Sequence, residues 1–251
     1  MQVFSFDTRP RRNPALGMVV LQVDERIEAD ARRLLPPAVD LMVSRVPSGL
    51  DVTPATLARM EGELPRAAAL LPGSVDFDVI GYGCTSGAAQ IGPARVADQV
   101  RAGARCAHVT DPVSALTAAC GALGLRRLAL LSPYVETVSD RLRQVLSDQG
   151  IDTPVFGSFA EAEEARVARI TPASVVTAAR TLAGTGAVDG IFLSCTNLDT
   201  LPAIPALERE IGLPVLSSNL VLAWHMLRLA GAGSPQLECA LARPAGQGAI
   251  I

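Results

Sequence analysis

The sequence predicts an α/β protein made of two facing halves built to one plan. Three observations carry this: short apolar runs alternate strictly with longer amphipathic stretches, Gly or Pro marks the ends of those stretches, and a repeat is visible in register.

The runs Met18–Val23, Val39–Val46, Val79–Gly83 and Cys106–Val109 read as strands of the first half. Leu128–Leu131, Thr153–Phe156, Gly190–Ser194 and Val215–Leu216 read as later strands. Each is short and rich in β-branched or aliphatic residues, as strands covered on both faces are. Glu25–Leu35, Pro54–Leu71, Gly92–Gly103 and Val113–Leu123 read as helices between them, followed by Val135–Gln149, Thr171–Gly184, Pro202–Ile211 and Leu220–Ala230. Gly103, Gly124, Gly150, Gly184, Gly212 and Gly231 sit where these helices should stop. Such alternation implies parallel strands joined by right-handed crossovers.

Asp78-Val79-Ile80-Gly81-Tyr82-Gly83-Cys84-Thr85-Ser86 aligns with Asp189-Gly190-Ile191-Phe192-Leu193-Ser194-Cys195-Thr196-Asn197 at an offset of 111 residues, from 84 to 195. The same offset carries Gly17 onto Leu128. The expected division is residues 1–112 with 214–251 as one α/β domain and 113–213 as the other, Pro214–Ala230 returning to complete the first.

Composition narrows the function. Of 251 residues 49% are hydrophobic, and the net charge is −3 with no basic block beyond Arg9–Arg12, so no nucleic-acid footprint is present. Residues 1–14 carry no apolar signal-like core, and Leu213–Ala230 is too interrupted by polar residues to span a bilayer. Five cysteines without a CxxC pair fit a reducing, cytoplasmic setting rather than a disulfide framework or a zinc site. His108 and His225 lack ligand spacing and read as structural, as do Cys106, Cys120 and Cys239.

Polar residues gather where ligands sit in parallel sheets, beyond the carboxyl ends of the strands. Asp24, Cys84-Thr85-Ser86, Ser132-Pro133-Tyr134, Cys195-Thr196-Asn197 and Ser217-Ser218-Asn219 all follow strands. Backbone N–H groups opening a helix, with Thr and Ser hydroxyls beside them, suit a carboxylate. The same dipole is expected to lower a thiol's pKa. Two thiols at equivalent strand ends can exchange protons with opposite faces of one carbon, or one thiolate can attack an activated double bond. A decarboxylase, a thiol hydrolase and a non-catalytic two-lobed carboxylate-binding protein are the competing readings. Neither cysteine has a His or acid partner by motif, which argues against the hydrolase.

The paired Cys-Thr motifs, Ser132-Pro133-Tyr134, and Leu213–Asn219 with Trp224 resemble the aspartate/glutamate racemase superfamily, within it the maleate isomerase and arylmalonate decarboxylase branch, and in particular the racemase-like proteins of ectoine utilisation. The resemblance runs from about Gly17 to near the end of the chain. It implies two pseudo-symmetric domains, each a four-stranded parallel sheet flanked by helices, with the active site in the cleft between them. It implies no metal or organic cofactor, a small carboxylate or amino-acid derivative as substrate, and a homo-oligomer. Cys84 and Cys195 would be the catalytic pair, whereas decarboxylase relatives lack the first cysteine. Thr85, Ser86, Tyr134, Thr196 and Asn197 would contact the substrate. Asp24 stands where maleate isomerases carry Asn, and no Asn is found near Glu164–Arg166, where they carry another. A carboxylate at 24 would repel a substrate carboxylate and could pair with an ammonium, or it could simply cap the helix that follows.

Overall fold

The computed structural model describes residues 1–243. Strands β1 (Ala15–Leu21), β2 (Asp40–Val46), β3 (Phe77–Gly83) and β4 (Cys106–Thr110) form a parallel sheet in the order β2-β1-β3-β4. Strands β5 (Arg127–Tyr134), β6 (Asp152–Glu161), β7 (Gly190–Leu193) and β8 (Val215–Ser217) form a second parallel sheet in the matching order β6-β5-β7-β8. The central strands β1 and β7 are buried along their whole length, which is why they read as unbroken apolar runs.

The intervening helices are α1 (Ile27–Leu34), α2 (Pro54–Ala68), α3 (Thr85–Ile91), α4 (Pro93–Gly103), α5 (Pro112–Leu123) and α6 (Glu136–Asp148). They continue with α7 (Glu164–Val167), α8 (Pro172–Ala183), α9 (Ile204–Ile211) and α10 (Ser218–Leu229). Local chemistry sets their ends. The Asp111 carboxylate accepts the N–H groups of Val113 and Ser114 to start α5, and Gly124 ends it at φ 71°, a left-handed turn that costs glycine little. Phe192, Leu130 and Leu16 are fully buried; truncating Phe192 to Ala should cost about 3–5 kcal/mol.

The strand of Pro214–Ala230 does not join the first sheet, where the expected division had it. β8 pairs with β7, Leu193 standing opposite Ser217. The reason lies in the repeat: the 111-residue offset carries Cys106, which opens β4, onto Ser217 in β8. Helix α10 then crosses back and packs on β3, where the sulfur of Met226 and Leu222 lie over Gly81. The two halves are also joined at their rims. Val52 donates to the Ala162 carbonyl at 3.1 Å and Glu164 to the Leu50 carbonyl at 3.2 Å, around an antiparallel bridge between Asp51 and Glu163. That bridge ties the loop after β2 to the loop after β6 and draws both over the strand ends. Among the described residues, no helix is long and apolar enough to cross a membrane.

Candidate active site

The carboxyl ends of β1, β3, β5 and β7 converge on one small cavity. Asp24, Cys84, Thr85, Ser86, Tyr134, Cys195, Thr196 and Asn197, separated by up to 173 positions in the chain, all line it. Glu164 completes the polar wall, while Leu21, Val52 and Leu57 supply an apolar one. Neither histidine lines the cavity.

The repeat holds at the two cysteines but not after them. Cys84 follows β3 directly and caps α3, its Sγ accepting the Gly87 N–H at 3.1 Å. Gly87 is required there, because a Cβ would lie 2.5 Å from the Tyr82 hydroxyl and 2.9 Å from that sulfur. After Cys195 no helix begins until Ile204. Cys195 takes φ 99°, a conformation that L-residues pay about 1–3 kcal/mol to adopt. Three contacts hold it: its N–H donates to the Ser218 hydroxyl at 3.0 Å, its Sγ accepts the Asn197 N–H at 3.3 Å, and the Tyr134 hydroxyl lies 2.9 Å from that sulfur. Ser218 also accepts the Thr85 hydroxyl at 2.7 Å, so one serine at the start of α10 braces both cysteine loops.

Several expected substrate contacts are already committed within the protein. The Asn197 carboxamide accepts the Glu25 N–H and donates to the carbonyl and Oε2 of Glu164. The Thr196 hydroxyl donates to the Gly83 carbonyl at 3.3 Å. Tyr134 donates its hydroxyl proton to Glu164 Oε1 at 2.7 Å. Asp24 caps the start of α1, one oxygen accepting the Arg26 and Ile27 N–H groups, both at 2.8 Å. Its other oxygen, Oδ2, is buried without a partner among the described residues. Ser86 lines the cavity at the first turn of α3, where backbone amides have no intrahelical carbonyl to meet.

Electrostatics overturn one expectation. Burial pushes the Cys84 thiol up to about 12, outweighing the Gly87 N–H that favours the thiolate, and the nearby Glu164 and Asp24 carboxylates add to the rise. Burial likewise drives Cys195 well above the usual thiol range, again with Glu164 pushing the same way. The helix start therefore does not make Cys84 a standing thiolate, and Cys195 has no helix start beside it; desolvation wins at both. Burial also raises Asp24 and Glu164, and each carboxylate disfavours ionisation of the groups around it.

Glu164 is the site residue that sequence reasoning missed. It lies on the one-turn helix α7 just past β6, 3% exposed, and buried glutamates are rare enough that its type gave no warning. Its position just beyond the carboxyl end of a strand was the available signal. Among the described residues, no group of three or more His, Cys, Asp or Glu is arranged to hold a metal ion.

In the two parallel α/β lobes, one strand-end cysteine from each lines a shared cavity. The comparisons give the chain a family: a model described as arylmalonate decarboxylase matches residues 107–240, and the chain belongs to that family. It is 30% identical over 227 residues to the arylmalonate decarboxylase of Bordetella bronchiseptica, covering 88% of this chain and 92% of the relative. It is 29% identical over 224 residues to the maleate isomerase of Nocardia farcinica, covering 85% and 88%. A solved Nocardia farcinica maleate cis-trans isomerase, a cysteine-to-serine mutant with a covalently bound succinylcysteine intermediate, superposes with a TM-score of 0.81 at 25% identity, over 92% of this chain and 99% of that one. These relatives are enzymes.

Proposed function

We propose that the chain is a cofactor-independent racemase or isomerase acting on a small carboxylate through Cys84 and Cys195. The observation that carries this is the meeting of both cysteines, from equivalent strand ends of the two lobes, in one closed cavity. One sulfur, as thiolate, takes the proton from the carbon beside the carboxylate; the other, as thiol, returns a proton to the opposite face. Charge that builds on the substrate carboxylate in between is met by Ser86 at the first turn of α3. The thiolate comes from Cys195. Since the only Tyr134 hydroxyl proton points at Glu164, the Cys195 thiol donates to the phenol oxygen. Moving both protons one step leaves a Cys195 thiolate and a neutral Glu164.

A second reading, addition of one thiolate to a double bond followed by rotation, draws support from the succinylcysteine trapped in the Nocardia relative. Two cavity cysteines favour either over a one-thiol decarboxylase. Five unpaired thiols suit a cytoplasmic setting, and a homo-oligomer is the form in which we expect it to act.

The test is deuterium uptake at the α-carbon across C4 and C5 carboxylates, amino acids and the acylated diamino acids that the ectoine resemblance suggests. Cys84→Ser and Cys195→Ser should each lower turnover at least about 10²-fold while binding changes much less. Near-native rates in both variants would remove the two-cysteine assignment.

A further inference from the structure

Charge inside the cavity is one-sided. Its wall holds two carboxylates, Asp24 and Glu164, and two thiols, and none of its lining residues is Lys, Arg or His. Arg45, whose charge reaches Asp24, and Arg26 do not line the cavity. Arg45 donates to the carbonyls of Leu21, Gln22 and Asp24 and pairs with Glu28, while Arg26 pairs with Asp199 at 3.2 Å. A ligand with two carboxylates would place like charges against this wall in a closed space, where they are poorly screened.

One carboxylate oxygen of the lining residue Asp24 is left unpaired. Asp24 is 3% exposed; its Oδ1 is taken up by two amides at the start of α1, but Oδ2 has no donor among the described residues. The Thr196 hydroxyl, which bears on Asp24, donates to Gly83 instead. A buried carboxylate oxygen without a donor costs about 1–3 kcal/mol or more, so a donor brought by the ligand is worth having there. Glu164 offers a second acceptor: each of its oxygens takes one hydrogen bond and keeps a lone pair.

We propose that Asp24 and Glu164 form a cation-binding wall, so that the substrate is a small carboxylate carrying an ammonium group, an amino acid rather than a dicarboxylate. The assignment rests on the two-thiol reading for the rest of the ligand: its carboxylate lies beside Ser86, with the α-carbon between the sulfurs. Three N–H donors on one nitrogen match Oδ2 of Asp24 and the spare lone pairs of Glu164. Burial disfavours ionised Asp24 and Glu164 in the unfilled cavity, and an ammonium between them reverses that preference.

The experiment is calorimetry with matched probes at pH 7.5: propionate, both enantiomers of alanine and of 2,3-diaminopropionate, succinate, maleate, and both enantiomers of aspartate. It is run on the wild type and on the Cys84→Ala/Cys195→Ala double variant, where binding is read without turnover. At least one ammonium-bearing probe is expected to bind about 10- to 100-fold tighter than its deaminated match. Asp24→Asn, which keeps the Oδ1 that caps α1, and Glu164→Gln should each remove most of that ratio, with far-UV circular dichroism confirming the fold. A preference for succinate or maleate that both substitutions leave unchanged would overturn the wall, as would failure of every ammonium-bearing probe to bind. Absence of α-deuterium exchange by the wild type, with the ammonium preference intact, would instead overturn the two-thiol chemistry and leave the wall standing.

Discussion

The Tyr134 hydroxyl lies 2.9 Å from the sulfur of Cys195, and its single proton is aimed away from that sulfur, at Glu164 2.7 Å off. This geometry reconciles a deeply buried thiol with the thiolate that the proposed chemistry requires of it. Creating a new charge in the cavity would be penalised by desolvation. Passing a proton from Cys195 through Tyr134 to Glu164 moves a negative charge without adding one, so most of that penalty cancels.

Tyr134→Phe breaks this chain while keeping the ring. Turnover is expected to fall about 10²-fold, the usual range for losing a positioned proton carrier, with ligand affinity within a few-fold of wild type. Single-turnover kinetics beside calorimetry would separate the two. A large loss of affinity with unchanged kcat would make Tyr134 a binding residue only.

Thiol reactivity should be ordered against catalytic importance. Half-buried Cys106 is expected to react first with iodoacetamide at pH 7.5, whereas Cys84, pushed up to about 12 by burial, and Cys195 stay unmodified in the unliganded protein. The Cys84 rate should climb about tenfold per pH unit, because only the thiolate attacks. Peptide mapping by mass spectrometry reads this directly, and rapid labelling of Cys84 at neutral pH would refute the burial argument.

Gly87→Ala tests how tightly the first thiol is seated. The added methyl would press on both the Tyr82 hydroxyl and the Cys84 sulfur. Overpacking of this kind costs about 1–3 kcal/mol, and a displaced reactive group can cost as much as about 10² in rate. Thermal melts and turnover should both fall; a variant native in both would mean that the loop gives way freely.

Asp30 predicts a pH dependence of stability. It is 2% exposed, and burial raises its pKa to about 6, helped by Asp199 and opposed by the hydrogen bond from Asn219. Because the folded value lies above the unfolded one of about 3.9, its stabilising contribution is fully present below pH ~4 and is lost as the pH rises through about 6. The loss amounts to about 3 kcal/mol. Asp30→Asn, whose side-chain oxygen can still accept from Asn219, should be more stable than wild type at pH 8 and lose that advantage at pH 4. Urea melts at the two pH values measure it, and a variant less stable at pH 8 would show that the ionised form is favoured instead.

How much of this was legible in the sequence depends on which physical signal each part leaves. The runs Val79–Gly83 and Gly190–Ser194 announced themselves as strands because burial on both faces favours apolar residues. Helix α3 left no trace: seven residues of Thr, Ser, Gly, Ala, Gln and Ile carry no amphipathic stripe, and the pause before Gly92-Pro93 read as loop. The residues gathered at the cavity were found by a positional rule, strand ends, which is independent of residue type. What the rule cannot give is charge state. Cys84 at a helix start looked like an activated thiol, and only the depth of the cavity shows that desolvation outweighs the dipole. Glu164 was passed over because an amide was sought in its place and its own type suggested a solvated surface.

Helix α10 has a consequence for the chain as a divisible object. The sequence is periodic about a midpoint near residue 125, yet the helix that roofs β3 of the amino-terminal sheet is encoded after the last strand of the carboxyl-terminal one. Its first residues, Ser218 and Asn219, touch Thr85 on one side and Cys195 and Thr196 on the other. Severed at the line of its own symmetry, the polypeptide would yield one piece with an uncovered apolar sheet and another trailing an orphan helix. Each piece would then need the other as a scaffold, and the reactive pocket would exist only in their reunion.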